Sequence, residues 1–199
     1  MKIIFYSALQ FPRVEYIVSI LMNAMGLNEI LFTQDQIIYE KSTAVKCNYS
    51  DSPIANQELL IQPSTLLFEK GVHKQNIEIL EWNTSITNAY NHSKFKTLFY
   101  FFPTTKGDLP FDIFAASFYL LTRYEEYLPH NKDIYGRYAH ENSLAFQFDF
   151  LKVPLVNLWL EELLKNQTEK QDCFHVHTFR ICLCYVEDKI GRASCRERV

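Results

Sequence analysis

Arg123, Glu125, Glu126, Tyr127 and His130 form the densest set of titratable side chains in the chain. Neighbouring carboxylates can divide acid and base work when their surroundings push their pKa values apart. Glu125, Glu126 and His130 are therefore the catalytic candidates. On a helix, though, adjacent residues point about 100° apart, so Glu125 and Glu126 would not face each other. A solvated helix end, with Arg123 tied to a neighbouring loop, accounts for the same residues. A second set, Asp108, Asp112, Asp133 and His140, flanks this stretch on loops and could bind a metal or a sugar hydroxyl. Helix capping by Asp112 and turn formation by Asp108 explain those two more simply. The metal candidates are His175 and His177, the sole His-x-His pair. On a strand both imidazoles would project from one face towards one cation, with Cys182 or Cys184 near enough to add a third ligand.

Motifs that are absent narrow the chemistry. Five glycines in all leave no phosphate-cradling loop, and no G-x-S-x-G elbow is present. The Cys47, Cys173, Cys182 and Cys184 spacings contain no C-x-x-C pair and outline no disulfide framework.

The candidate residues depend on the stretch from Asp112 to Pro129 for their position. Asp112 can cap a helix start and Pro129 can end it. Between them Ile113, Ala116, Leu120, Tyr124 and Tyr127 form one apolar stripe, and Phe114, Phe118 and Leu121 a second. A helix apolar nearly all round belongs inside a domain.

Elsewhere, Lys2–Ser7 reads as a strand, and Pro12 to Gly26 as a helix with proline at its start and glycine at its end. Ile30–Thr33 and Gln36–Glu40 read as two short strands around Asp35. Val45–Tyr49 has the alternation of a half-buried strand, and Leu59–Ile61 is another short one. Residues 77–82 read as a strand, 83–96 as a polar loop, and Leu98–Phe102 as a buried strand ending at Pro103. His130–Asn142 is a polar loop, and Val153–Asn166 is a last helix. Strands interleaved with helices predict an α/β single domain: a mixed sheet with flanking helices.

A chain of 199 residues is long enough for one domain with a real core. Setting aside Arg192, Arg196, Arg198 and Glu197 in the terminal segment leaves 17 basic against 22 acidic residues. No basic patch of nucleic-acid type is visible, which argues against DNA or RNA as partner. Sixteen Phe and twelve Tyr suit a well-packed core or a carbohydrate-facing surface, packing being the commoner use. No run approaches a membrane span, and the apolar N-terminal run is too short for a secretory signal, so a reducing cytoplasm is expected.

The string LPFDIFAASFYLLTRYEEYLPHNKDIYGRYAHENSLAF, followed by FLKVPLVNLWLEELLK, resembles a segment of bacterial polysaccharide-deacetylase (NodB-like) proteins. NYSDSPI, IQPSTLLFEKG and IEILEW resemble the same segment, the uncharacterised domain preceding the catalytic one. The resemblance runs roughly from Tyr39 to Lys165. It implies a non-catalytic accessory module whose parent is a hydrolase of carbohydrate N-acetyl groups. In such proteins the chemistry belongs to a downstream domain with a divalent metal held by an Asp and two His. Neither the family's Asp-Asp motif nor its His-x-x-x-His motif occurs in this sequence, so no cofactor is expected in the chain itself. The partners implied are that catalytic domain in cis, which the module would position or regulate, and polysaccharide, which it would help recognise.

The C-terminal end is expected to be truncated. Ile190–Val199 resembles the in-frame translation of a sequencing-library adapter, and FRICLCYVEDK matches the first catalytic-domain strand only loosely, through Tyr185 and Asp188. The expected organisation is an accessory domain over 1–170, the start of a missing or degraded catalytic domain over 171–189, and adapter-derived residues over 190–199. Two other readings stay open: an enzyme in its own right using Glu125, Glu126 and His130, or a protein-interaction module using the aromatic surface.

Overall fold

Strands β1 (Lys2–Ser7), β2 (Glu29–Thr33), β3 (Val45–Tyr49) and β4 (Leu59–Ile61) pair in the order β2-β1-β3-β4, each pair parallel. They are seen in a computed structural model that describes residues 2–87 and 94–170. Parallel sheets are covered on both faces, and the inner strands here follow that rule. Ile3 and Phe5 of β1 point into the main core, while Ile4 and Tyr6 point to the opposite face. Val45–Tyr49, expected to be half-buried, has Cys47, Asn48 and Tyr49 all buried because it is an inner strand.

Helix α1 (Pro12–Ala24) covers the main face. Pro12 starts it, Val14, Ile17, Val18, Leu21 and Met22 are its buried side, and Gly26 ends it in the left-handed region at φ 77°. Helix α2 (Gln36–Lys41) covers the other face, with Tyr39 packed against Ile4 and Tyr6. The expected strand at Gln36–Glu40 is therefore a helix. Asp35 decides it, since its Oδ1 accepts from the N–H groups of Ile37 at 2.7 Å and Ile38 at 3.2 Å. That cap outweighs the strand preference of two adjacent isoleucines.

Helix α3 (Ile113–Leu121) is buried from Ile113 to Leu120. Asp112 caps it as expected, but the helix ends well short of Pro129. Thr122 turns its hydroxyl back to the Phe118 carbonyl at 2.7 Å, and Arg123 adopts a left-handed conformation at φ 51°. The chain then resumes as a tighter 3-10 turn, Tyr124–Tyr127. That break lets Tyr124 enter the core, where its hydroxyl accepts from the His73 N–H at 2.9 Å. The partner is 51 residues away in sequence, so local periodicity could not foretell the break. A polar loop with a short 3-10 turn at His140–Asn142 follows, then the single-turn helix α4 (Leu144–Gln147).

Strands β5 (Leu80–Thr87) and β6 (Lys94–Tyr100) form a separate antiparallel pair with a register shift between Asn83 and Ile86. Much of the expected polar loop over 83–96 is thus strand, and the expected strand start at residue 77 falls outside it. Cross-strand pairing supplies what the polar composition of this stretch does not announce. Helix α5 (Leu155–Lys170) packs on this pair, its Trp159 indole N–H donating to the Phe99 carbonyl at 2.9 Å. Phe101 and Phe111 meet Trp159 at centroid distances of 5.7 and 5.1 Å, joining the hairpin, α3 and α5 into one core. The fold is thus α/β with flanking helices, its parallel and antiparallel pairings carried by two sheets. Among the described residues no helix is long and apolar enough to cross a membrane.

Candidate functional site

The break after α3 opens a polar concavity beside it. Arg123, the turn Tyr124–Tyr127 and the following loop wall a cleft of about 510 Å3. Its lining includes Leu120, Glu125, Glu126, Asp133, Tyr135 and Arg137. The sequence candidates Glu125 and Glu126 both reach it, but with separate engagements. Glu125 accepts from the Leu144 N–H at 3.1 Å, joining the 3-10 turn to the start of α4. Glu126 forms an ion pair with Arg123. The two carboxylates thus line one cleft with different partners. His130 does not line the cleft: its Nδ1 meets the Leu128 carbonyl at 2.7 Å, and its ring sits edge-on to Tyr138 at 4.9 Å.

Burial raises the Glu125 pKa above the usual carboxylate range; the neighbouring Glu126 adds to this, while the Leu144 N–H and Arg123 work against it. The opposite holds for Asp133, whose carboxyl is held below its usual value, chiefly by the Arg137 backbone N–H.

Asp133 organises the outer wall. Its Oδ1 accepts from the N–H groups of Tyr135 at 2.8 Å and Arg137 at 2.9 Å. Its Oδ2 receives the Arg137 guanidinium, Nε at 3.0 Å and Nη2 at 2.9 Å. Gly136, at φ 79°, completes the turn, and Arg137 lies over the Tyr135 ring at 5.0 Å from its centroid. Asn142 closes the loop base, accepting from the Asn131 N–H and donating to the carbonyls of Asn131 and Ala139. Backbone bonds across the loop, among them the Asp133 N–H to the Arg137 carbonyl at 2.8 Å, hold the wall together with these side-chain bonds.

The other acidic candidates lie apart. Asp112 is fully buried: its Oδ1 caps α3, and its Oδ2 accepts from the Tyr49 hydroxyl and the Ser64 N–H, both at 2.7 Å. Asp108 accepts from the Leu60 N–H at 2.8 Å, helping the turn around Gly107 cover the β4 edge. A Cβ at Gly107 would stand 2.7 Å from the Leu60 carbonyl oxygen, so only glycine fits that approach. Among the described residues no group of three or more His, Cys, Asp or Glu is arranged to hold a metal. His175, His177, Cys182 and Cys184 lie outside the described residues.

Tyr135 and Arg137 were missed by a search for clustered acids and bases. The available clue was Asp133-Ile-Tyr-Gly136, with Asp and Gly at the first and fourth positions of a turn and an aromatic residue at its tip. A second cavity of about 310 Å3 lies at the carboxyl ends of β1 and β2, lined by Ser7, Phe11, Phe32 and Asp35 among others. Parallel sheets often bind ligands there, but the loop leaving β1 has no glycine with which to cradle a phosphate.

The sequence matches a family of unknown function, DUF7033, over residues 3–171. The chain belongs to the DUF7033 family. The match spans β1 through α5 and includes the cleft, so fold and cleft together make up the family's domain. No curated protein and no solved structure matches the chain.

Proposed function

We propose that this DUF7033 chain is a non-catalytic accessory module of a polysaccharide deacetylase, hydrolysis of N-acetyl groups belonging to a domain encoded downstream. The ordered likeness from Tyr39 to Lys165 to the segment preceding such catalytic domains motivates it. The observation that carries it is how the cleft's acids are used. Glu125 holds α4, Glu126 holds Arg123, and Asp133 holds the loop tip. Each of these three has a partner within the fold, the fourth acid, Glu141, lies beside His140 at 3.5 Å, and His130 stands outside the cleft. The divalent cation of the family chemistry would be held by the downstream domain.

One observation favours a second reading. A carboxyl whose pKa is raised by burial, set in a cleft, suits a general acid, and Glu125 has both properties. Incubating the purified chain with N-acetylated oligosaccharides and assaying acetate separates the two. The accessory module releases none. Acetate production that Glu125→Gln abolishes, without lowering the thermal melt, would establish the enzyme instead.

A further inference from the structure

We infer that the cleft beside α3 binds an uncharged oligosaccharide, with the Tyr135 ring as its stacking platform; this rests on the accessory reading and names that module's ligand class. Four observations converge on it. Tyr135 is 74% exposed and its neighbour Ile134 91%, two large apolar side chains held out at the tip of one loop. Exposed apolar side chains gathered on a concave wall mark binding surfaces more often than chance.

The platform is also fixed in advance. Asp133 fastens the backbone on both sides of the tip and grips the Arg137 guanidinium, which in turn lies against Tyr135. A ring oriented before the ligand arrives loses little freedom on binding. The arginine stack leaves the rest of this exposed ring open to the CH face of a sugar.

Charge then selects among ligands. Both arginines of the cleft are matched within its own wall, Arg123 by Glu126 and Arg137 by Asp133. Lys132, Glu125 and Glu141 line the cleft as well, so three Lys or Arg side chains (Arg123, Lys132, Arg137) stand against four Asp or Glu (Glu125, Glu126, Asp133, Glu141), and neither sign dominates enough to select a strongly charged ligand. Matched ionic groups nevertheless present many directional donors and acceptors, which suits hydroxyl groups. The volume, about 510 Å3, falls within the range of small-ligand sites, roughly 300–1,000 Å3.

Titration calorimetry of the whole chain with cellotetraose and with tetra-N-acetylchitotetraose, both uncharged, tests this. Glucosamine tetramer and oligogalacturonate serve as the cationic and anionic comparisons. Saturable binding of at least one uncharged tetramer is expected, stronger than that of either charged one. Tyr135→Ala should weaken it about tenfold or more, Tyr135→Phe should largely preserve it, and neither should move the thermal melt. Overturning results are no binding of an uncharged tetramer at millimolar concentration, preference for a charged one, or indifference to Tyr135→Ala. Acetate measured in the same samples keeps the two proposals apart. Binding with acetate release removes the accessory reading, whereas no binding and no release removes the glycan site alone.

Discussion

Glu125 joins a structural contact to an environment that shifts its titration. Its carboxylate joins the 3-10 turn to the N–H of Leu144, and the burial that this junction requires raises its pKa. The sign of the linkage follows from that direction. A carboxyl whose pKa is higher folded than unfolded supports the fold most when protonated, below the unfolded value of about 4.3. Its contribution declines as pH rises through the folded value. Glu125→Gln keeps an acceptor for Leu144 without the charge. The stability of the wild-type chain relative to Glu125→Gln should therefore fall as pH is raised from acid to neutral, as read by urea unfolding at several pH values. A difference that grew with pH would show that Glu125 gains a stronger anionic partner than Leu144 provides.

Between elements, Asp112 is the junction on which α3, β3 and the Ser64 segment meet. Its two oxygens accept four hydrogen bonds, from Phe114, Ala115, Tyr49 and Ser64. Even so, burial raises its pKa more than those donors lower it, so the charge is tolerated rather than favoured. Asp112→Asn can keep the cap on α3 with its amide oxygen. Its NH2 group then faces the Tyr49 hydroxyl and the Ser64 N–H, two donors without an acceptor. A loss of about 2–4 kcal/mol is expected by chemical denaturation. Loss of less than about 1 kcal/mol would mean that the junction can rearrange at little cost.

At the scale of the molecule, one apolar core joins the parallel sheet, α1, α3, the antiparallel hairpin and α5. Its buried centre includes Phe5, Phe101, Phe111, Phe114 and Trp159, which bring large apolar area out of water. A core of this size and aromatic content is expected to fold without a bound ion. Treatment with EDTA is expected to leave the circular dichroism spectrum and Tm unchanged; a marked drop in Tm would reveal a structural metal. The cleft lies at the polar end of α3, and Tyr135 on its outer wall takes no part in this core, which is why Tyr135→Ala can be used to test binding without disturbing folding.

The sequence by itself determined the α/β class, the position of β1, α1, β3 and β4, the capping role of Asp112 and the burial of α3. Each follows from local chemistry: apolar periodicity, a proline or glycine at a boundary, a carboxylate before a helix. It also marked Glu125 and Glu126 as chemically conspicuous and showed why adjacent residues would diverge. Tertiary structure decided the rest. α3 stops at Leu121 because Tyr124 is drawn to His73, and residues 80–87 and 94–100 become strands because each supplies the other's ladder. The cleft exists because the break at Arg123 redirects the chain and Asp133 locks the loop opposite it. The cleft is lined by one stretch, residues 120–151, but its shape depends on the contact of Tyr124 with His73, and a partner that far away leaves no period to read.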